Sequence, residues 1–184
     1  MKTKLILSTF TAALAALTFT SPALFAADEK PAKAGAAGKL AAKDEKFVMD
    51  AAQGGMLEVR LGEVAKQKAT RQDVKDFGSM MTMDHGKAGE ELKGVAAKVG
   101  VTLPTDLDAK HKAKVDKLEK LSGADFDKEY VAEMVKDHEK DAKAFEDAAN
   151  NAQNPDVKAF AGKTLPVIKT HLEKIKAMAG AEKK

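Results

Sequence analysis

The chain of 184 residues has no cysteine, no tryptophan and a single tyrosine, and aromatic residues make up only 5% of it. Without cysteine it has no disulfide framework, no thiolate metal site and no acceptor for a lipoprotein anchor. Past the first 26 residues no long uncharged apolar run occurs, so no transmembrane segment is expected in the mature chain. Neither sign of charge dominates. Lys and Arg number 31 against 28 Asp and Glu, and the signs alternate along the chain. Nucleic-acid binding needs a basic patch that releases counterions, so no nucleic-acid partner is expected. No strand is predicted, hence no Gly-rich phosphate loop following a strand, and no serine has a histidine partner at a defensible position. No enzymatic activity can be defended from these residues.

What is present begins with a targeting segment. Lys2 and Lys4 precede an uncharged apolar run from Leu5 to Phe19, and small residues around Ser21 to Ala27 offer a cleavage site. These are the marks of a bacterial Sec-type signal peptide over 1–26, cut after Ala26. The run is shorter than the ~20 residues that span a bilayer. Export and zero cysteine together fit a soluble periplasmic or secreted protein. Removing Lys2 and Lys4 leaves a nearly neutral mature chain, long enough for one domain with one core. Residues 27–43, rich in Ala, Gly and Lys, read as a flexible spacer.

Abundant Ala and apolar periodicity near 3.6 predict an all-α domain over 44–179. Helix A runs from Asp44 to about Ala69 with Phe47, Ala51, Gly54, Glu58, Leu61 and Ala65 on one face. Thr70 and Asp73 form a capping-box-like start for helix B, which ends at Val99 before Gly100. A short charged helix from about Asp108 to Leu121 carries His111, expected to be solvated. Helix C runs from about Asp125 to Ala149. Asn154 as N-cap and Pro155 at the first helical position open helix D, which ends near Ala179 and leaves a frayed tail over 180–184. Gly54, Gly55, Gly86 and Gly89 read as close-packing positions, and Pro166 should bend helix D. Short A–B and C–D connections make antiparallel hairpins, and the B–C segment is long enough to cross the bundle lengthwise. This is a ferritin-like four-helix bundle with a helical B–C crossover; a plain up-down bundle with an extra helix is the alternative.

One stretch occurs twice: Phe77-x-x-x-Met81-x-x-Asp84-His85 and Tyr130-x-x-x-Met134-x-x-Asp137-His138. The repetition suggests a duplicated helical hairpin. With Phe47-x-x-x-Ala51-x-x-Gly54-Gly55-Met56-x-Glu58, with Leu103-Pro104, and with Leu165-Pro166-x-x-x-x-His171-Leu172, it resembles an exported bacterial family known as domain of unknown function 4142. The resemblance covers most of Lys46 to Ile175. It implies a ferritin-like fold and export, and brings no established activity.

His85, His138 and His171 fall on the core stripes of three different helices, and Glu58 on that of the fourth. Metal sites in bundles are built this way, one ligand per helix. Counting ~1.5 Å per residue from the A–B end puts Glu58, His85 and His138 level at ~18 to ~22 Å, and His171 lower at ~12 Å. A di-iron centre is not expected, because it needs Glu-x-x-His on two helices. Thr82, Val135 and Ile168 stand three residues before the histidines. Each Asp beside a His points about 100° away around its helix and is not expected at the same site. Met81 and Met134, one turn before His85 and His138, are candidate soft ligands if not core filler. Two functions stay open: an exported non-enzymatic binding or stress-related envelope module without a cofactor, or a metal-binding protein for Cu or Zn. Envelope association through amphipathic helices is a weaker third. Ligand atoms within roughly 4 Å of one point would favour the metal. Partner and oligomeric state are not set by the sequence.

Overall fold

The structure, a computed structural model, describes residues 40–181. The expected signal peptide over 1–26, most of the spacer and residues 182–184 lie outside the described residues. Five helices follow in order: α1 Ala42–Lys68, α2 Gln72–Val99, α3 Ala109–Glu119, α4 Gly123–Asn151 and α5 Pro155–Ala181. Helix α1 begins slightly inside the expected spacer. Asp44 and Glu45 in its first turn oppose the positive end of the helix dipole and favour that start.

Two buried carboxylates fix how the hairpins meet. Asp127, near the start of α4, accepts from the backbone N–H groups of Thr70 at 3.1 Å and Arg71 at 3.0 Å, in the α1–α2 turn. Asp44, near the start of α1, accepts from Gln153 N at 2.9 Å and Asn154 N at 2.7 Å, in the α4–α5 turn. Each hairpin therefore caps the turn of the other. Asp127 follows Asp44 at the same separation as Gln153 follows Thr70 and Asn154 follows Arg71, so the hairpins are related as repeated units. The Asp-His stretches are not the equivalent positions of that repeat. They lie on α2 and α4, the second helix of one hairpin and the first of the other.

These contacts place the start of α4 beside the α1–α2 turn, so α2 and α4 run parallel and the chain between them must return along the bundle. That is the ferritin-like connection, and it excludes the plain up-down alternative. Helix α3 lies on this return and clasps α1 and α4. Arg60 pairs with Glu119 at 2.5 Å, and Lys114 pairs with Glu133 and, at 2.6 Å, with Asp137. The expected capping box at Thr70 does not form. Arg71 takes the N-cap position and the Thr70 hydroxyl donates to Asp127. One carboxylate from the neighbouring helix satisfies two amides and that hydroxyl, more than a local threonine can offer. His111 is not solvated either: its side chain is only 13% exposed, and Nδ1 lies 2.8 Å from Asp108, the N-cap of α3. At α5 the cap is as expected, with Asn154 Oδ1 accepting from Asp156 N and Val157 N. The helix then continues through Pro166.

The interior has two apolar clusters. One, toward the α1–α2 turn, includes Leu57, Leu61, Phe77, Met81, Phe126, Tyr130, Met134 and Ile175. The other, toward the α4–α5 turn, includes Val48, Leu92, Phe145, Phe160 and Ile168. Helices α1 and α2 touch backbone to backbone at Gly62 and Gly78: a Cβ on Gly62 would lie 2.5 Å from the Gly78 carbonyl oxygen. Gly55, Gly86 and Gly89 differ from expectation, because a Cβ there would meet nothing within 4 Å. Gly62→Ala is expected to cost about 1–3 kcal/mol through overpacking against backbone. Gly89→Ala should gain about 0.5–1 kcal/mol by raising helix propensity. Urea melts of the two variants check both signs.

A candidate metal centre in the polar layer

Between the two clusters lies a buried polar layer. Four helices each contribute one side chain: Glu58 from α1, His85 from α2, His138 from α4 and His171 from α5. Their residual exposures are 1%, 8%, 0% and 1%. In sequence each stands between residues of the two apolar clusters, as His138 does between Met134 and Phe145, so helix periodicity alone carries it inward. The rings meet with centroids 5.6 Å apart for His85–His138, 5.3 Å for His85–His171 and 5.5 Å for His138–His171. Phe77 bounds the layer on one side, its ring edge-on to His138 at 6.0 Å and to His171 at 6.3 Å.

Each imidazole is held by one nitrogen. His85 Nδ1 lies 2.9 Å from Glu58 Oε2, His138 Nδ1 lies 2.9 Å from the Met134 carbonyl oxygen, and His171 Nε2 lies 2.9 Å from Asp84 Oδ2. The Met134 carbonyl can only accept, so His138 carries its proton on Nδ1. Donation to the Asp84 carboxylate puts the proton of His171 on the bonded nitrogen in the same way, and His85 Nδ1 donates to Glu58 when that carboxyl is ionised. The nitrogens left over, His85 Nε2, His138 Nε2 and His171 Nδ1, are buried and have no hydrogen-bond partner. One nitrogen from each of the three rings lies within 4.8 Å of the other two. Some point then lies within about 2.8 Å of all three, so small rotations reach the ~2.0–2.1 Å of a metal–imidazole bond.

Burial also sets the charge states. It pushes the imidazole of His85 down to about 4 and shifts those of His138 and His171 in the same direction, keeping all three neutral near pH 7. Neutral imidazole is the form that binds a metal. Burial drives the Glu58 carboxyl the other way, up to about 7. Asp141, partly buried on α4, is likewise raised to about 7 by burial and then by Glu58.

His171 is thus level with the other histidines, against the count made along ideal helices. The helix ends are not flush: Asp127, two residues past the expected start of helix C, meets the α1–α2 turn and lowers His138 by about 3 Å, while α5 runs on to Ala181, two residues past its expected end, and raises His171 by about 3 Å. Asp84 also departs from expectation. Its side chain leaves the stripe of α2 as predicted, yet α5 lies on that side and its His171 takes the carboxylate. Its twin Asp137 turns to Lys114 instead. Met81 and Met134 are fully buried in the apolar cluster next to the layer. The Met134 backbone carbonyl, not its sulfur, contacts a histidine. Sequence reasoning missed Asp84 and Asp141. Asp141 could have been found, since it stands three residues after His138 and shares its face.

The geometry defines a class: a ferritin-like helical bundle whose core is interrupted by three convergent, neutral imidazoles with carboxylate and carbonyl partners behind them. Within that class, the chain belongs to the domain of unknown function 4142 family, whose profile matches residues 29–178. No curated protein matches the sequence. Among solved structures it is similar to a DUF305 fragment from Deinococcus radiodurans, at 12% identity and a TM-score of 0.68, covering 78% of this chain and 99% of that one. It is also similar to CopM in the Cu(I)-bound form, at 16% identity and a TM-score of 0.63, covering 75% and 96%. A DUF305 protein from Streptomyces coelicolor matches at 12% identity and a TM-score of 0.62, covering 74% and 91%. At these identities the likeness shows the all-α fold. No helix among the described residues is long and apolar enough to cross a membrane.

The Glu58 carboxyl gives a pH prediction. Its value is raised from 4.5 in the unfolded chain to about 7 in the fold. Between those values the folded protein keeps a proton that the unfolded chain has released. Its contribution to stability is therefore full at low pH and is lost as pH rises through about 7. Glu58→Gln removes this loss. Relative to wild type, the variant should gain on the order of 2 kcal/mol in denaturant stability between pH 5 and pH 8. A constant difference across that range would contradict the burial of an ionisable Glu58.

Proposed function

We propose that the protein is an exported bundle that binds one copper or zinc ion at His85, His138 and His171. Glu58, Asp84 and the Met134 carbonyl orient the three rings. One observation carries the reading: one nitrogen from each of three buried imidazoles lies within 4.8 Å of the other two, and every ring keeps a buried nitrogen with no hydrogen-bond partner. An unsatisfied buried polar atom costs about 1–3 kcal/mol. A cation held by the three rings removes that penalty. The outer partners match how metal-bound histidines are held, with the second ring nitrogen donating to a carboxylate or carbonyl.

Imidazole donors suit zinc and copper, and Cu(II) binds such ligands most tightly among the first-row divalent metals. Structures of CopM bound to Cu(I), Cu(II) and Ag have a similar fold, which makes copper the first ion to test. Glu58, His85, His138 and His171 form one constellation here, with Glu58 behind His85 instead of on the metal. Met81 and Met134 contribute apolar packing. The basic n-region and apolar run over 1–26 support export, and the periplasm or exterior is where such a module would meet copper.

Purified protein is expected to bind one Cu(II) per chain, read by elemental analysis and calorimetry. The melting temperature should rise with free metal, since ligand at 100 times Kd stabilises by about 2.7 kcal/mol. His85→Ala, His138→Ala and His171→Ala should each abolish the shift. Asp84→Asn should weaken affinity about 10–100-fold while leaving the stoichiometry unchanged. A wild-type protein that binds neither copper nor zinc and melts at the same temperature with and without them would sink the metal reading. The histidine layer would then serve packing alone.

A further inference from the structure

The histidines are buried, so a cation needs a path to them. A cleft of about 680 Å³ opens between α1 and α2, in the half of the bundle nearer the α4–α5 turn. Ala51, Val59, Leu92 and Phe160 are among its apolar walls, while its polar lining sets the acids Glu58, Glu63, Glu90 and Asp141 and the imidazole of His85 against Arg60 and Lys93. Neither His138 nor His171 lines it. His85 is also the most exposed of the three histidines in the layer, at 8%. Gly55 from α1 and Gly86 and Gly89 from α2 line the same cleft with open space where a Cβ would stand. In a helix interior these glycines weaken the helix, and no close backbone approach requires them here. Glu58 ties cleft and cluster together: one oxygen holds His85 Nδ1, and the other, Oε1, is buried with no hydrogen-bond partner.

We propose that this cleft is the route by which the cation reaches the histidines, with the carboxylates of Glu58 and Asp141 receiving it and His85 its first imidazole ligand. The inference rests on the metal reading and adds the direction of approach. Carboxylates lining a low-dielectric cleft draw a cation inward, and the field strengthens as water thins. Passage from carboxylate oxygen to imidazole nitrogen moves a borderline cation toward the donor it prefers, so Glu58 and Asp141 speed the transfer without holding the ion. Glu58 can play this part because Oε2 orients His85 while Oε1, which makes no hydrogen bond, lies 3.4 Å from His138 Nδ1 and so faces the cluster. Microscopic reversibility makes the cleft the way out as well.

The chain contains its own reporter. Tyr130 is the only tyrosine and tryptophan is absent. Its ring lies 6.4 Å from Phe77, which in turn lies 6.0 Å from His138. Cu(II) at the histidines should quench its fluorescence, and stopped-flow quenching then gives the association rate; a competing chelator gives dissociation. Gly86→Leu/Gly89→Leu fills the cleft from α2, and Gly55→Leu fills it from α1 should the double variant fail to fold. The Leu variants should slow association and dissociation together by about tenfold or more, since access now requires a conformational opening. Their equilibrium affinity should stay close to wild type, and their melting temperature without metal at or above it. Asp141→Asn should slow uptake by about 3–10-fold and flatten its salt dependence. Leu variants that take up Cu(II) at the wild-type rate would overturn the route while leaving the metal site standing. A wild-type protein that binds no Cu(II) or Zn(II) at equilibrium would remove the site and the route together.

Discussion

Burying three imidazoles and a carboxyl at one level of a helical bundle is the constraint on which the site depends. Desolvation keeps the rings neutral and raises the carboxyl, and every N–H taken from water must find an acceptor. Glu58, the Met134 carbonyl and Asp84 are those acceptors. Each bond fixes which nitrogen carries the proton, and so where the remaining lone pair points. Satisfying the outer N–H groups thus fixes the three rings before any ion is present, and under the metal reading that preorganisation would lower the cost of binding.

The level of the layer is set at the ends of the bundle. Asp44 and Asp127 each cap the turn of the opposite hairpin, and these buried contacts lock the vertical register of the four long helices. A slip of one turn, about 5.4 Å, would carry a histidine out of the layer and bury it among aliphatic side chains. The clasp made by α3 reinforces the register from outside, with Lys114 bridging Glu133 and Asp137. Asp137 therefore holds the crossover to α4, while Asp84 orients His171. Two copies of one Asp-His pair serve different ends because different helices lie beside them.

Small residues also take opposite roles along the α1–α2 seam. At Gly62 and Gly78 the backbones nearly touch, whereas at Gly55, Gly86 and Gly89 the helices stand off and leave a cleft. The same residue type permits contact in one half and access in the other. A seam closed at both ends would seal the histidines in, and a seam open at both would expose Leu57 and Leu61 in the neighbouring apolar cluster. The alternation keeps that cluster dry and leaves His85 within reach of solvent.

Local chemistry was legible in the sequence. Ala-rich segments with 3.6-residue periodicity had to be helices, and Asn154-Pro155 had to start one, because those signals act within a turn or two of the chain. The length of the B–C segment allowed a crossover without excluding an up-down bundle, and the stripes carried Glu58, His85, His138 and His171 inward. The tertiary structure decided what depends on neighbours. It replaced the Thr70 cap by Asp127, brought Asp84 to His171 and raised His171 to the level of the other rings. It also opened the cleft at glycines that resemble packing sites. Hydrogen bonds between helices and the stagger of helix ends are set by how faces meet. A single helix's periodicity states which face is buried; it holds no information on what stands opposite, or at what height.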